Sequence, residues 1–99
     1  MKVTIVQYKV KKEKVMENED ELKKVFEALK KAKLDDFRYA SMKLSDGVSF
    51  IALVQFEGES NPFVQSEAFQ NFQKRLTTRL DGQPIQEVAE IVGSYNFFD

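Results

Sequence analysis

The 99-residue sequence contains no cysteine, no histidine and no tryptophan, and the first two absences each exclude a class of chemistry. Without cysteine the chain cannot form disulfides, thiolate nucleophiles or thiolate metal sites. Histidine is the usual general base near neutral pH, the partner of most nucleophilic serines and the commonest ligand of zinc and haem iron. Any catalysis would therefore use carboxylates, lysine, tyrosine, amides or backbone groups, or a substrate that supplies its own reactivity.

Other features of a membrane or multidomain protein are also missing. No run of about 18 apolar residues could span a membrane, and the N-terminus lacks the charged-then-apolar layout of a signal peptide. There is no internal repeat, linker or low-complexity stretch. With 42% hydrophobic and 31% charged residues, the chain is expected to be one globular domain over residues 1–99, cytoplasmic and without membrane contact.

Four segments have the composition of β-strands. Val3–Val10 is rich in β-branched residues and predicts the first strand. Phe37–Leu44 and Val48–Phe56 flank Asp46-Gly47, a hairpin signal because both central positions of such a turn need positive φ. Ile85–Tyr95 is predicted to be the fourth strand.

Two segments have helical spacing. Asn18, followed three residues later by Glu21, resembles a capping box and predicts the start of the first helix, which ends near Leu34. The second helix is expected to begin near Pro62 or Ser66 and to stop at 81–84. Apolar residues recur every three or four positions in both: Leu22, Val25, Phe26, Leu29 and Ala32 in the first, and Phe69, Phe72, Leu76 and Leu80 in the second.

The order of these elements is βαββαβ. Two strand–helix–strand passages around a central hairpin predict an α+β, ferredoxin-like fold. In this fold a four-stranded antiparallel sheet carries both helices on one face.

The pattern of the third strand predicts a second buried face. Ile51 and Leu53 point away from the face that Phe50 and Val54 present to the helices, and two helices can cover only one face. Contiguous apolar patches usually mark an interface, so we expect a homodimer that packs sheet against sheet. Its interface candidates are Ile51, Leu53, Phe97 and Phe98. The Phe97-Phe98 tail would either reach the other subunit or fold back over its own helices.

RNA-recognition domains share this element order. Their third strand needs a basic residue, then glycine, then aromatics that stack on bases. Here Asp46 stands where the base belongs and aliphatic residues stand where two of the aromatics belong, while Thr4 replaces an aromatic of strand one. With a net charge of −1, no nucleic-acid partner is expected.

Across nearly its whole length the chain resembles the antibiotic-biosynthesis-monooxygenase-like (ABM) domains of the dimeric α+β barrel superfamily. The resemblance is carried by residues 3–8, 46–50, 66–72 and 92–98 taken together, and not by any single motif. It implies a homodimer with a small-molecule cavity between the sheet and the helices of each subunit. Some members oxidise polycyclic aromatic substrates with dioxygen and no cofactor, and others degrade haem.

The haem-degrading members use a histidine on the second helix, an asparagine on strand one and a tryptophan near the cavity. This chain has neither histidine nor tryptophan. The strand-one position is most nearly Gln7, and the helix reads Asn71-Phe72-Gln73. The resemblance therefore disfavours haem degradation, and no cofactor is expected.

The cofactor-free members surround an acidic phenolic substrate with polar side chains. The resemblance makes six residues ligand-cavity candidates: Gln7, Tyr8, Tyr39, Asn71, Arg75 and Tyr95. All of them except Asn71 have an alternative. Gln7 could bond across the dimer seam, the tyrosines could pack in the sheet with the hydroxyl at an edge, and Arg75 with Arg79 could be solvated helix charges in place of an anion clamp.

The sequence contains no recognisable motif for metal binding or catalysis. The nearest carboxylate pairs, Asp35-Asp36 and Glu57 with Glu59, sit at turns and offer too few oxygen ligands, so no metal is expected. The first hypothesis is a cofactor-independent monooxygenase of a small aromatic or quinol-like metabolite. The alternative is a non-catalytic homodimer that binds a small hydrophobic ligand or a protein partner.

Overall fold

A computed structural model describes residues 2–57 and 66–97, and they form the predicted βαββαβ order. Within these ranges a 3₁₀ turn at Lys12–Lys14 precedes the first helix. The strands and α-helices are β1 (Lys2–Lys9), α1 (Val15–Ala32), β2 (Phe37–Lys43), β3 (Ser49–Phe56), α2 (Glu67–Leu76) and β4 (Ile85–Glu90).

The strands form one antiparallel sheet in the order β2-β3-β1-β4. In the centre, Tyr8 of β1 lies opposite Phe50 of β3, and Val6 lies opposite Gln86 of β4. Because side chains alternate along a strand, the even-numbered residues of β1 face the helices and the odd-numbered ones face away. The α+β, ferredoxin-like fold with both helices on one face is confirmed.

The hydrophobic core lies between the sheet and the two helices. Its fully buried members are Tyr8, Val10, Leu22, Val25, Phe50, Phe72 and Leu76. The Tyr8 and Phe50 rings stack with centroids 5.5 Å apart. Burial of each aliphatic or phenyl side chain contributes about 1.5–3 kcal/mol. The apolar spacings predicted for both helices thus supply the core.

The start of α1 differs from the prediction. The helix begins at Val15, directly after the 3₁₀ turn, so Asn18 lies inside its first turn and does not cap it. The Asn18 side chain is completely buried and bonds to groups of the core. At α2, Ser66 is the N-cap, because its hydroxyl accepts a hydrogen bond from the Phe69 backbone N–H at 3.3 Å. The alternative start at Pro62 lies outside the described residues.

The hairpin between β2 and β3 is confirmed, but its turn is not the two-residue type expected. Within this turn Gly47, with φ of 79°, has a positive φ and Asp46 does not. The Asp46 carboxylate accepts hydrogen bonds from the backbone N–H groups of Val48 (3.0 Å) and Ser49 (2.8 Å). These bonds hold a longer loop that the Leu44 N–H closes on the Ser49 carbonyl.

The fourth strand ends at Glu90, earlier than Tyr95. Glu90 pairs with Lys2, the first residue of β1. Residues 91–97 leave the sheet edge and cross the face opposite the helices, where Arg38 Nη1 of β2 donates to the Phe97 carbonyl at 3.4 Å. Phe97 therefore lies over its own sheet and not over its own helices, and Phe98 is outside the described residues.

Candidate functional site

A cavity of about 190 Å³ lies between the helix-facing side of the sheet and α2. All four strands or their flanks contribute to its wall. Its described lining residues are Val6, Tyr8, Tyr39, Ala52, Val54, Phe69, Phe72, Gln73, Leu76, Pro84 and Gln86. The wall is mainly apolar, with a few polar groups among the aromatic and aliphatic side chains, as is usual for small-molecule sites.

The local sequence explains why space remains here. Ala52 is a small residue in the middle of β3, between the larger Phe50 and Val54 on the same face. Phe69, Phe72 and the other apolar residues of α2 recur at helical spacing and close the cavity from above. The missing side-chain volume at position 52 is therefore the sequence feature that opens the floor.

Two tyrosines, Tyr8 and Tyr39, contribute to the wall. Burial raises the pKa of Tyr39, and the nearby Tyr8 raises it further. Burial also raises the pKa of Tyr8, although a hydrogen bond from Asn18 and the charge of Arg79 oppose it. Both hydroxyls remain protonated at neutral pH. They can donate hydrogen bonds to a ligand but cannot serve as bases in the resting protein.

A buried polar chain runs from the cavity wall to α1 and the end of α2. Asn18 Nδ2 donates to the Tyr8 hydroxyl oxygen at 3.0 Å, and Arg79 Nε donates to Asn18 Oδ1 at 3.1 Å. The Arg79 guanidinium lies 5.2 Å from the centre of the Phe72 ring, within the range of a cation–π interaction.

Arg79 is completely buried, which excludes the solvated-charge interpretation for this residue. Its Nη1 and Nη2 atoms have no hydrogen-bond partner in the described part of the chain. A buried charge without full pairing is costly. The bond to Asn18 and the contact with Phe72 are the interactions that offset this cost within residues 2–57 and 66–97.

The structure brings Tyr8 and Tyr39 together at the cavity and separates the other four candidates from it. Gln7 is exposed on the opposite face of the sheet. Asn71 is exposed on α2. Arg75 is also exposed on α2 and donates from Nη1 to Glu21 Oε1 at 2.9 Å. Tyr95 is 85% exposed in the segment after β4.

Sequence reasoning missed Gln73, Gln86, Asn18 and Arg79. Gln86 reaches the cavity because β4 pairs with β1 in a register that no local pattern reveals. Gln73 directly follows Phe72 on α2. Its place beside the apolar stripe of this helix is the sequence feature that could have identified it as a cavity residue. Asn18 resembled a helix cap, and only its buried contacts identify its role.

The other face of the sheet has a depression of about 420 Å³ beneath Phe97. Its wall includes Val3, Leu53 and Gln55, and Val3 is only 6% exposed. Ile51 and Leu53 are half-buried on this face. The C-terminal segment thus covers one end of a largely apolar surface.

In residues 2–57 and 66–97, no three acidic side chains are grouped so as to hold a metal ion. No helix in the same ranges has the length and apolar character needed to cross a bilayer.

Comparisons with known proteins give a likeness of fold. The sequence matches no protein-family model and no curated protein. A proposed antibiotic biosynthesis monooxygenase from Nitrosomonas europaea superposes with a TM-score of 0.76 at 11% identity, over 94% of this chain and 100% of the other. A variant of SnoaB, a cofactor-independent oxygenase from Streptomyces nogalater, gives 0.68 at 15% identity, over 96% and 97%.

A conserved protein from Methanosarcina mazei gives a TM-score of 0.68 at 19% identity, over 90% of this chain and 91% of the other. Identities this low establish the architecture and leave the chemistry open. By its fold, the chain is similar to the antibiotic biosynthesis monooxygenase structures, with which it shares the ferredoxin-like α+β architecture.

Proposed function

We propose that the protein is a cofactor-independent monooxygenase that acts on a small aromatic or quinol-like metabolite in the cavity beneath α2. The observation that carries this proposal is the mainly apolar cavity with two protonated tyrosines in its wall. A structural neighbour, SnoaB, is described as a cofactor-independent oxygenase, which supports the proposal by analogy of fold.

The size of the cavity favours a small substrate. Its volume of about 190 Å³ is below the range of about 300–1,000 Å³ that is typical of ligand sites. A single aromatic ring with one or two oxygen substituents fits this space better than a large polycyclic compound. Tyr8 and Tyr39 would donate hydrogen bonds to its carbonyl or phenolate oxygen.

In such a reaction the substrate supplies its own reducing electrons. An activated ring CH₂ group, as in the keto tautomer of a hydroquinone, loses two hydrogens and gains one oxygen atom of O₂ as a carbonyl, while the other oxygen atom leaves as water. The protein would bind the substrate, stabilise its enolate or phenolate form and exclude bulk water.

We also propose that the protein is a homodimer that packs through the face opposite the helices. Ile51 and Leu53 lie on that face together with Met42, which is 45% exposed, and Ile85, which is 59% exposed. A second copy would bury this surface with one self-complementary contact. Phe97 would lie at the edge of that contact.

One observation favours the second candidate function, a non-catalytic dimer that binds a small hydrophobic ligand. Among the described residues of the cavity wall there is no aspartate, glutamate or lysine. The wall therefore offers no ordinary base to deprotonate a weakly acidic substrate. The lack of these residues is the observation that supports binding without turnover as the second candidate.

Oxygen uptake separates the two candidates. The purified protein would be incubated with substituted hydroquinones, and with anthrone as a larger polycyclic comparison, and oxygen consumption would be compared with that of each compound in buffer without protein. We expect uptake with at least one compound, and a lower rate for Tyr39→Phe, which removes a cavity hydroxyl. Asn71→Ala is the matched control because Asn71 is exposed on α2. Saturable binding of these compounds without uptake would support the non-catalytic dimer.

A further inference from the structure

The buried chain from Arg79 to Tyr8 fixes the direction of each hydrogen bond along it. An arginine Nε–H can only donate, so the atom of Asn18 that lies 3.1 Å from it must be the amide oxygen. This removes the usual ambiguity between the two ends of an asparagine amide. The Asn18 NH₂ group therefore faces Tyr8, 3.0 Å from its hydroxyl oxygen.

This arrangement determines what Tyr8 can do with its own proton. The Asn18 NH₂ group has no free lone pair and acts only as a donor, so the Tyr8 oxygen is the acceptor in that bond. The hydroxyl hydrogen must point elsewhere, and the bond from Asn18 is the one hydrogen bond found for this hydroxyl within residues 2–57 and 66–97. Tyr8 is also part of the cavity wall. A ligand in the cavity that carries an acceptor oxygen would satisfy this proton.

We propose that Asn18 and Arg79 are positioning residues that hold Tyr8 as a hydrogen-bond donor to the occupant of the cavity, and so select ligands with an acceptor oxygen, such as a carbonyl or phenolate. The inference rests on the proposed function only in that both require the cavity to bind a small ligand. It holds equally for the catalytic and the non-catalytic candidate.

The burial of Arg79 suits this role. The side chain is 0% exposed, and the Phe72 ring against the guanidinium belongs to the cavity wall as well. The cation is therefore held in a fixed position next to the site. Because a buried donor without an acceptor is costly, Asn18 is kept from rotating its amide. The raised pKa of Tyr8 keeps the hydroxyl protonated and able to donate.

The decisive variant is Asn18→Asp. A carboxylate at position 18 has nearly the same shape as the amide and still accepts from Arg79 Nε, but its second oxygen accepts from Tyr8 where the amide donated. The Tyr8 proton would turn away from the cavity while the fold keeps its charge-assisted pair. Tyr8→Phe removes the donor itself. Asn71→Asp, on the exposed side of α2, is the matched control for an added carboxylate.

The probes are acetophenone and α-methylstyrene, which have one ring and nearly the same shape, but of which only acetophenone has an acceptor oxygen. Their dissociation constants would be measured by NMR titration of the full chain, with the melting temperature of each variant recorded as a check on folding. We expect the wild-type protein and Asn71→Asp to bind acetophenone about tenfold more tightly than α-methylstyrene. In Tyr8→Phe and Asn18→Asp the ratio should fall to about one.

Several results would overturn the inference: no preference in the wild-type protein, no binding of either probe, or a preference that survives in a folded Asn18→Asp. If Asn18→Asp does not fold, the wild-type protein decides. Acetophenone should shift the Asn18 side-chain amide resonances because it polarises the Tyr8 hydroxyl, and α-methylstyrene should not; equal shifts would contradict the proposal. Oxygen uptake without any probe preference would overturn this inference alone and leave the proposed function standing.

Discussion

Arg79 and Asn18 are 61 positions apart in the sequence, yet their side chains share a hydrogen bond of 3.1 Å and both are completely buried. The bond joins the first turn of α1 to the segment that follows α2. It also connects to Tyr8 and hence to the cavity. The same hydrogen-bonded chain therefore helps to hold the two helices together and sets the orientation of Tyr8 at the candidate site.

Loss of the Asn18 side chain should destabilise the fold. Asn18→Ala leaves the Arg79 Nε–H buried without its acceptor, and we expect the free energy of unfolding to fall by about 2–3 kcal/mol. Urea denaturation followed by circular dichroism would measure the change. Glu17→Ala, in the same helical turn but largely exposed, should change stability by less than about 0.5 kcal/mol. Equal decreases in the free energy of unfolding for Asn18→Ala and Glu17→Ala would contradict the inference that the buried Arg79 needs Asn18 as its hydrogen-bond acceptor.

The ion pair between the helices should make stability depend on pH. Burial alone raises the pKa of Glu21, but a hydrogen bond from Arg75 and the charges of Lys24 and Arg75 hold it below 4.5. A carboxyl group whose pKa is lower in the folded state stabilises fully above its unfolded pKa and loses that contribution as pH falls through the folded pKa.

Glu21→Gln should therefore reduce the free energy of unfolding near neutral pH and converge with the wild-type protein as the pH falls well below 4.5. Denaturant titrations across this range would measure both curves. Glu27→Gln, on the exposed side of α1, is the control and should follow the wild-type curve. A constant difference between Glu21→Gln and the wild type at all pH values would show that the carboxyl is not titrating as described.

Partly filling the cavity should weaken ligand binding without unfolding the protein. Ala52→Leu adds side-chain volume to the cavity floor, so it occupies empty space without creating a void, and we expect stability to change by less than about 1.5 kcal/mol. Binding of acetophenone should weaken at least tenfold. Ala32→Leu, at the exposed end of α1, should bind like the wild type. Unchanged binding in Ala52→Leu would place the ligand elsewhere.

A charge on the face opposite the helices should separate the proposed dimer. Leu53→Lys introduces a cation in the middle of that face, and burying two such charges across a twofold interface is unfavourable. Native mass spectrometry should show a dimer for the wild-type protein and a monomer for the variant. Met16→Lys, at a position 75% exposed on α1, should remain dimeric. A monomeric wild-type protein would overturn the proposed dimer.

Local sequence patterns were sufficient for most of the fold. The helical spacing of Leu22, Val25 and Phe72 predicted which residues enter the core, and all three are buried. Such patterns work because the period of a helix or strand fixes which residues share a face. The cap at Ser66 was one of two predicted starts, and it is the one found within the described residues.

Patterns failed where the outcome depended on a distant partner. The composition of residues 85–95 suits a strand throughout, but β4 ends at Glu90, which pairs with Lys2 of the neighbouring strand β1. Asn18 has the residue type of a cap and the spacing of a capping box. Its side chain instead bonds to the Tyr8 hydroxyl and to the Arg79 guanidinium in the core.

The sequence by itself determined the order of the elements, the two apolar helix stripes and the exclusion of histidine and cysteine chemistry, because each of these follows from residue type and local period. Only the tertiary structure decided which polar residues meet at the cavity. Tyr8, Asn18 and Arg79 come together because a sheet register and two helix packings place them there. Those placements result from many contacts between residues far apart in the chain, which no local pattern encodes.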